Sequence, residues 1–348
     1  MRPRSEMQLR FATILLAACV AAGLPARAQE GDRDGRAELY SDRARAAVDG
    51  ALRWLAEHQN KDGSWNALVG FKINDGYRHQ PQIQPRDGMP HLGVTALAGM
   101  AFLSGGHLPR QGKYGQVVER ALQFVLRHVN EDGFITHNQT RMYSHAFSVL
   151  FLAEIYGMTG EPTLREKLDA AVEFTYRAQN KSGGWRYAPA AQDSDMSITV
   201  CQVVALREAR NIGIKVPREC IDNALKYVVE SAVTVGGDRG AFLYQHKDVP
   251  FNRNSFALTA AGLTTMQQAG LYSDADVRRF CERHNIRKVP RIGDCLRYMR
   301  QAYEPIWLEY HDHYFYFYGN YYAAQAMYTR GGETWRAWYT MVRDDLLS

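Results

Sequence analysis

Hydrophobic residues recur at helical spacing along most of the chain, in segments of two alternating kinds. One kind carries an apolar stripe and places its charges elsewhere, which is typical of a helix with a single buried face. The other kind is almost uncharged all round, which predicts a helix that is buried on every side. The half-buried kind is predicted at residues 41–58, 114–129, 162–179 and 217–232, and the fully buried kind at 93–104, 144–157, 195–206, 255–271 and 312–329.

The alternation of the two kinds indicates how the helices are arranged. Buried helices that take turns with half-buried ones fit a ring with an inner barrel and an outer shell. Weaker helical segments at 274–284, 292–303 and 333–347 bring the total to twelve helices, or about six hairpins. We therefore expect an all-α fold, an α/α toroid (an α6/α6 barrel), in one domain over 44–348. A polar, proline-containing insertion near 66–90 and a flexible stretch at 29–43 lie outside this pattern.

A short motif recurs between the helices. Residues 59–65 read QNKDGSW and residues 179–185 read QNKSGGW, so five of seven positions are identical, and looser copies occur at 130–134 and 236–242. Self-similarity on this length scale predicts a repeat architecture. The two closest copies resemble the QW motif of squalene–hopene cyclases, the prenyltransferase and squalene oxidase repeat.

This resemblance implies structural roles for four residues. In that family the fold is an α/α toroid, the glutamine of the motif caps the start of a helix in the next hairpin, and the tryptophan stacks over it. An amide oxygen can accept hydrogen bonds from the unpaired N–H groups of a helix start, and an indole buries a large area. The residues concerned are Gln59, Trp65, Gln179 and Trp185.

The resemblance also directs attention to one acidic segment. Terpene cyclases of this type protonate their substrate with the middle acid of a DxDD motif, and the nearest segment here is Asp193-Ser194-Asp195-Met196. Asp195 takes the place of the middle acid and Asp193 that of the first, whereas Met196 replaces the last. Asp195 also directly precedes a buried helix, so it is equally a candidate N-cap, and the two roles do not exclude each other.

The segment at 310–322 has eight aromatic residues in thirteen positions. On a helix several of its tyrosines share one side, where they could line a cavity for an apolar or cationic ligand, or simply fill the core. Two histidines and an aspartate at its start form a candidate acid–base group, but histidines two positions apart diverge on a helix, so no metal and no cofactor is indicated. The candidate residues are His311, Asp312 and His313 for acid–base chemistry, and Tyr314, Tyr318, Tyr321, Tyr322, His145 and Arg253 for ligand binding.

The N-terminus predicts export. Residues 1–28 combine a basic start, an apolar run and an Ala-Arg-Ala cleavage pattern, which is typical of a signal peptide. The protein is then expected in the periplasm, the cell envelope or outside the cell. The alternative is a lipobox ending at Cys19, which would leave a lipid as the only link to a membrane.

Charge and cysteine content narrow the classes of partner. The formal net charge is +5, but residues 1–28 hold four arginines and one glutamate, so the remainder carries +2 and gives no reason to propose nucleic acid as a partner. Export would permit disulfides, and the spacing of the cysteines that remain fits no zinc site. These cysteines are Cys201, Cys220, Cys281 and Cys295.

Three functions are compatible with these patterns. The first is binding of a hydrophobic small molecule, such as an isoprenoid, or of an envelope protein, without catalysis. The second is a terpene-cyclase-like enzyme in which Asp195 is the general acid. The third, by analogy of fold alone, is a glycan-active enzyme on an α/α toroid.

Overall fold

A computed structural model describes residues 39–67, 88–246, 253–310 and 314–348. Over these ranges the chain forms twelve α-helices, a 3₁₀ turn at Pro162–Leu164 and two short antiparallel strands, β1 (Asn66–Ala67) and β2 (Met89–Pro90). The predicted all-α fold class is confirmed. The helices are α1 (Asp42–Glu57), α2 (Leu92–Ser104), α3 (Gly115–Arg127), α4 (Met142–Thr159), α5 (Arg165–Arg177), α6 (Met196–Asn211), α7 (Arg218–Glu230), α8 (Phe256–Gln268), α9 (Asp274–Arg283), α10 (Ile292–Tyr310), α11 (Tyr314–Arg330) and α12 (Gly332–Leu347).

Five of these helices form the inner layer. In the order α2, α4, α6, α8 and α11, each of these inner helices packs against the following inner helix. They are the helices whose sequences carry few charges, and most of their side chains are buried. The absence of a polar face explains their position, because a helix that is apolar all round must be covered on all sides.

The outer layer consists of the amphipathic helices. Helices α1, α3, α5, α7, α10 and α12 each pack their apolar stripe on one or two inner helices. Helix α12 also contacts α1, and Arg343 Nη1 of α12 donates to the Leu39 carbonyl at 2.9 Å. The last outer helix therefore meets the first, which completes the outer layer of the α/α toroid.

The four copies of the motif, at 59–65, 130–134, 179–185 and 236–242, form loops, and each loop contains a glycine in close contact with an outer helix. Each of these glycines has a positive φ, and a Cβ on it would lie only 2.1–2.3 Å from a backbone carbonyl oxygen of a later outer helix. No other residue fits so close an approach in this backbone conformation. The four contacts are Gly63 on Arg120, Gly133 on Ala170, Gly183 on Asn223 and Gly240 on Asp294. Because the last loop packs on α10, helix α9 is an insertion into the repeat.

A second contact also recurs in all four copies. Just after the loop, one backbone N–H donates to a side chain in the first turn of the next inner helix, at 3.1–3.2 Å. The pairs are Trp65–Thr95, Ile135–His145, Trp185–Thr199 and Phe242–Thr259. Four residues before each acceptor lies the N-cap position of that helix, occupied by His91, Arg141, Asp195 and Ser255. Helices α2, α4, α6 and α8 therefore start at the same end of the ring.

The glutamine and tryptophan of the motif make contacts that differ from the expected ones. Gln59 Nε2 donates to the Gly63 and Val117 carbonyls at 3.0 and 2.9 Å, and Trp65 Nε1 donates to the Leu55 carbonyl at 2.9 Å. The glutamine thus binds a carbonyl of the next outer helix and not its N–H groups. The tryptophan binds the last turn of the preceding helix, where carbonyls lack partners within the helix.

The second copy repeats this arrangement. Gln179 Nε2 donates to the Gly183 and Cys220 carbonyls, and Trp185 Nε1 donates to the Thr175 carbonyl at 2.8 Å. Each copy therefore links one outer helix to the next.

Other sequence expectations fall partly outside the described residues. The signal peptide at 1–28 with Cys19 lies outside them, as do residues 29–38 and 68–87 of the flexible N-terminus and the insertion. Within the described ranges, every helix is too short or too polar to cross a bilayer. The four described cysteines, Cys201, Cys220, Cys281 and Cys295, are buried free thiols.

Candidate functional site

The candidate site is the space enclosed by the five inner helices, which we call the lumen. Side chains from helices that are not neighbours in the ring meet across it. The rings of Phe147 (α4) and Tyr321 (α11) lie 6.2 Å apart, and the Tyr322 hydroxyl lies 3.0 Å from Cys201 Sγ on α6. The Tyr318 hydroxyl donates to the Ser197 carbonyl at 3.1 Å. These contacts identify the faces of α4, α6 and α11 that point inward.

The same faces carry the partly exposed residues of the inner helices. Tyr143 and Phe147 of α4, Tyr321 of α11, and Val204 of α6 are each partly exposed, whereas most residues around them are fully buried. On α2 the partly exposed side chains include Leu97. Since the outer helices cover the other side, this exposure lies toward the lumen. The lumen therefore presents accessible aromatic and aliphatic surface.

Asp195 lies at the end of the lumen where the inner helices start, which we call the mouth. It is the N-cap of α6, and its Oδ1 accepts from the Ile198 N–H at 2.9 Å and from Ser197 Oγ at 2.6 Å. Its Oδ2 accepts from the Tyr244 hydroxyl at 3.2 Å, and the side chain is fully buried. The capping role is thus present, and it matches the role of Ser255 in the next copy.

A guanidinium group balances this buried carboxylate. Arg186 Nε lies 3.6 Å from Asp195 Oδ2, and Arg186 Nη1 lies 3.3 Å from Oδ2 of Asp193, which is largely exposed. The same guanidinium lies over the rings of Tyr187 and Tyr244, at 5.2 and 5.7 Å from their centroids. Burial raises the pKa of Asp195, while hydrogen bonds from Ser197 and Ile198 and the charge of Arg186 act in the opposite direction.

Two tyrosines extend this network. The hydroxyls of Tyr187 and Tyr244 lie 2.8 Å apart, so Tyr187 donates to Tyr244 when Tyr244 donates to Asp195. The Arg253 guanidinium lies 4.6 Å from the centroid of the Tyr244 ring. Of these residues around Asp195, Arg253 was a candidate from the sequence, whereas Arg186, Tyr187 and Tyr244 were not. A usable signal was the repeat itself, because Tyr187 and Tyr244 each follow the loop at the same offset, two residues after Trp185 and Phe242.

His145 does not have the geometry expected of a ligand-binding residue. Its Nδ1 accepts from the Ile135 N–H at 3.1 Å, and its Nε2 lies 2.9 Å from Thr175 Oγ1 on the outer helix α5. It is fully buried, and burial lowers its pKa to about 3, so the ring is neutral. His145 fills the slot that threonine occupies in the other three copies and points toward the outer layer.

The structure describes some of the remaining candidate residues and not others. Tyr318, Tyr321 and Tyr322 line or cross the lumen, as described above. Helix α11 starts at Tyr314, whose side chain lies outside the described residues, as do His311, Asp312 and His313. In the described ranges, no three His, Cys, Asp or Glu side chains are grouped closely enough to hold a metal ion.

Two glutamates at the far end of the lumen were not foreseen. Glu154 lies seven residues after Phe147 on α4, and Glu208 lies four residues after Val204 on α6, so both continue the inward faces. Burial raises the pKa of Glu154 to about 8, and the charge of Glu208 adds to this shift. Burial raises the pKa of Glu208 as well, against a hydrogen bond from Asn211.

No protein-family model matches the sequence, and a search of curated proteins found no match. Among solved structures, the chain is similar to ent-copalyl diphosphate synthase from Streptomyces platensis, with a TM-score of 0.49 and 15% identity over 93% of this chain and 50% of the synthase chain. This chain thus spans about half the length of that protein. It is also similar to a protein from Actinoplanes, with a TM-score of 0.45 and 15% identity over 92% of this chain and 88% of the other. At this identity, neither likeness bears on function.

Proposed function

We propose that this protein binds a hydrophobic small molecule, such as an isoprenoid, in the lumen. The observation that supports the proposal is the partly exposed aromatic and aliphatic surface on the inward faces of helices that are otherwise buried. Apolar surface that stays in contact with water forgoes about 25 cal/mol per Å² of burial free energy. A ligand that covers Tyr143, Phe147, Leu97 and Val204 would recover this free energy, and the tyrosine rings suit planar or unsaturated groups.

The contacts of Asp195 favour binding over acid catalysis. Oδ1 already accepts two hydrogen bonds as the cap of α6, so only Oδ2 could carry a proton. Protonation of Oδ2 would require the Tyr244 hydroxyl to turn away, and the adjacent Arg186 stabilises the charged carboxylate. Both oxygens are thus engaged in holding the mouth together.

A cyclase-like reaction is the second candidate, and one observation favours it. Burial raises the pKa of Asp195, which a general acid needs, and the Tyr244 hydroxyl, itself bonded to Tyr187, contacts Oδ2. The cyclase-like reaction would be shown if the protein converted a linear isoprenoid to a cyclised product and the Asp195→Asn variant did not. The apolar lining gives no support to a glycan substrate. Export through residues 1–28 and an envelope partner remain predictions from the sequence.

The binding proposal can be tested by filling the lumen. Leu97→Trp adds bulk to the inward face of α2, so we expect it to weaken binding of an apolar fluorescent probe, such as N-phenyl-1-naphthylamine, by about tenfold or more. Val235→Trp is the matched control, because Val235 is 77% exposed in a surface loop. Binding would be measured by fluorescence titration, with the fold checked by circular dichroism. Equal probe affinity in the wild type and in a folded Leu97→Trp protein would overturn the proposal.

A further inference from the structure

The inward stripe of α4 runs along the lumen and ends in a carboxyl group. Over residues 142–155 of this helix, only Tyr143, Phe147 and Glu154 are partly exposed, and every other residue is buried. Their spacing of four and seven residues places all three on one side of the helix. Phe147 meets Tyr321 across the lumen, so the exposed part of Glu154 also lies toward the lumen. From Tyr143 to Glu154 the stripe rises about 16 Å.

Helix α8 lies outside this accessible surface. All of its residues over 256–267 are buried. On its lumen side, two contacts join α11 to α6: the Tyr318 hydroxyl donates to the Ser197 carbonyl, and the Tyr322 hydroxyl lies 3.0 Å from Cys201 Sγ. The accessible space is therefore bounded mainly by α2, α4 and α11, and it extends from the mouth to the end of the α4 stripe.

The carboxyl group of Glu154 has no hydrogen bond or ion pair with any residue that the structure describes. The neighbouring Glu208 differs, because it accepts from Asn211 Nδ2 at 3.0 Å. Arg207 Nη1 donates to the Gln268 carbonyl after α8 and is thereby held away from Glu154. Burial and the charge of Glu208 raise the pKa of Glu154 to about 8, so at neutral pH its carboxyl group keeps an O–H donor that no described acceptor uses.

The helices around Glu154 supply few other charges. The sequence of α2 has no charged residue, and that of α11 has only Arg330, which is exposed at the last position of the helix. Helix α5 packs on the opposite side of α4, where His145 contacts Thr175, so its charged residues lie away from the lumen. The charge that acts on Glu154 is therefore that of Glu208 on α6.

Resting on the proposed function, we infer that Glu154 is a ligand-binding residue and that the lumen takes an uncharged molecule with an acceptor oxygen at one end. The apolar chain of this molecule lies along Phe147 and Tyr143, and its oxygen, such as that of a ketone, accepts a hydrogen bond from the Glu154 carboxyl group at the far end. A ligand that can only donate, such as an ammonium ion, gains its full interaction only with the ionised carboxylate.

The test uses two ligands with similar alkyl chains: 2-dodecanone, which can only accept a hydrogen bond, and dodecylammonium, which can only donate. Their affinities would be measured by displacement of N-phenyl-1-naphthylamine at pH 6.5 and at pH 9.5, with the affinity of this probe determined at each pH. Glu154 loses its proton as the pH rises through about 8. The ketone should then bind about fivefold more weakly, and the ammonium about fivefold more tightly.

Two variants assign the response to its source. Glu154→Gln keeps an N–H donor but cannot ionise, so both affinities should become independent of pH, and the ketone should bind about as well as it does to the wild type at pH 6.5. Glu166→Gln is the matched control, because Glu166 is exposed on the outer helix α5, and it should keep both responses. Wild-type affinities that do not change with pH, or responses that persist in Glu154→Gln, would overturn the role of Glu154 and leave the proposed function intact. Failure of the probe and of both ligands to bind would overturn the proposed function itself.

Discussion

At the scale of single residues, Asp195 combines a helix cap with a buried ion pair. Asp195→Asn can keep the cap through its amide oxygen, but it cannot balance Arg186 or accept from Tyr244 with its NH₂ group. We expect a loss of about 2–3 kcal/mol in the free energy of unfolding, measured by urea denaturation. Ser255→Ala, which removes the equivalent cap alone, should cost about 1 kcal/mol. An Asp195→Asn protein as stable as the wild type would mean that the ion pair and the Tyr244 bond contribute nothing.

The buried, neutral His145 should make the protein less stable on acidification. Its pKa is about 3 in the folded protein and near 6.5 in the unfolded chain, so below pH 6.5 the unfolded chain binds the extra proton. Stability is therefore complete above pH 6.5 and should fall by up to about 1.4 kcal/mol for each pH unit below it. Urea unfolding between pH 7 and 5 would measure the slope, and His145→Asn should flatten it. A slope that is the same in both proteins would contradict the buried neutral imidazole.

The buried Glu154 should make stability fall as the pH rises, which is opposite to the effect of His145. Its pKa is about 8 in the folded protein against 4.5 for an ordinary glutamate, so between these values the unfolded chain loses a proton that the folded protein keeps. Its contribution to stability is present below pH 4.5 and is lost as the pH rises toward 8. Glu154→Gln should therefore be more stable than the wild type at pH 8, and the gain should shrink toward pH 5. Thermal unfolding at the two pH values would measure it, and a gain independent of pH would exclude this cause.

At the scale of elements, the loop glycines hold successive outer helices together. Gly183 combines a φ of +91° with a Cβ position only 2.3 Å from the Asn223 carbonyl oxygen, whereas Gly213 has a similar φ of +83° and nothing within 4 Å. Gly213→Ala should therefore cost only the backbone strain, about 1 kcal/mol. Gly183→Ala should cost at least twice as much, because the loop must also move away from α7. Similar losses in urea denaturation would show that close approach is unimportant.

The helices were predictable because each is defined by periodicity within its own sequence. Helix α6 was predicted to end at residue 206, but it continues to Asn211. The reason is that Arg207, Glu208 and Arg210 broke the uncharged pattern used to recognise an inner helix, although Glu208 lies on an inward face. The Pro305 within α10 similarly hid the second half of that helix.

The candidate site was only partly predictable from the sequence, because it depends on contacts between distant segments. Asp195 was recognised as a cap from its neighbours alone. Its pairing with Tyr244 joins residues 49 positions apart, which no local pattern reveals. The role of His145 was hidden because threonine occupies the equivalent position in the other three copies. A histidine near a helix start suggested a ligand-binding residue, whereas this position requires a hydrogen-bond acceptor for the Ile135 N–H.

At the scale of the whole molecule, the contact of α12 with α1 brings residues near the two ends of the described chain together. An open array of repeats has two free ends from which it can unravel one unit at a time, whereas a closed one has none, so its repeats should unfold as one cooperative unit. The proximity of Leu39 and Arg343 also means that a short peptide could join these ends and that the chain could be cut open at an exposed turn instead. Such a circular permutant should keep the same architecture, because what holds it together is the order of helices around the ring and not the place where the chain begins.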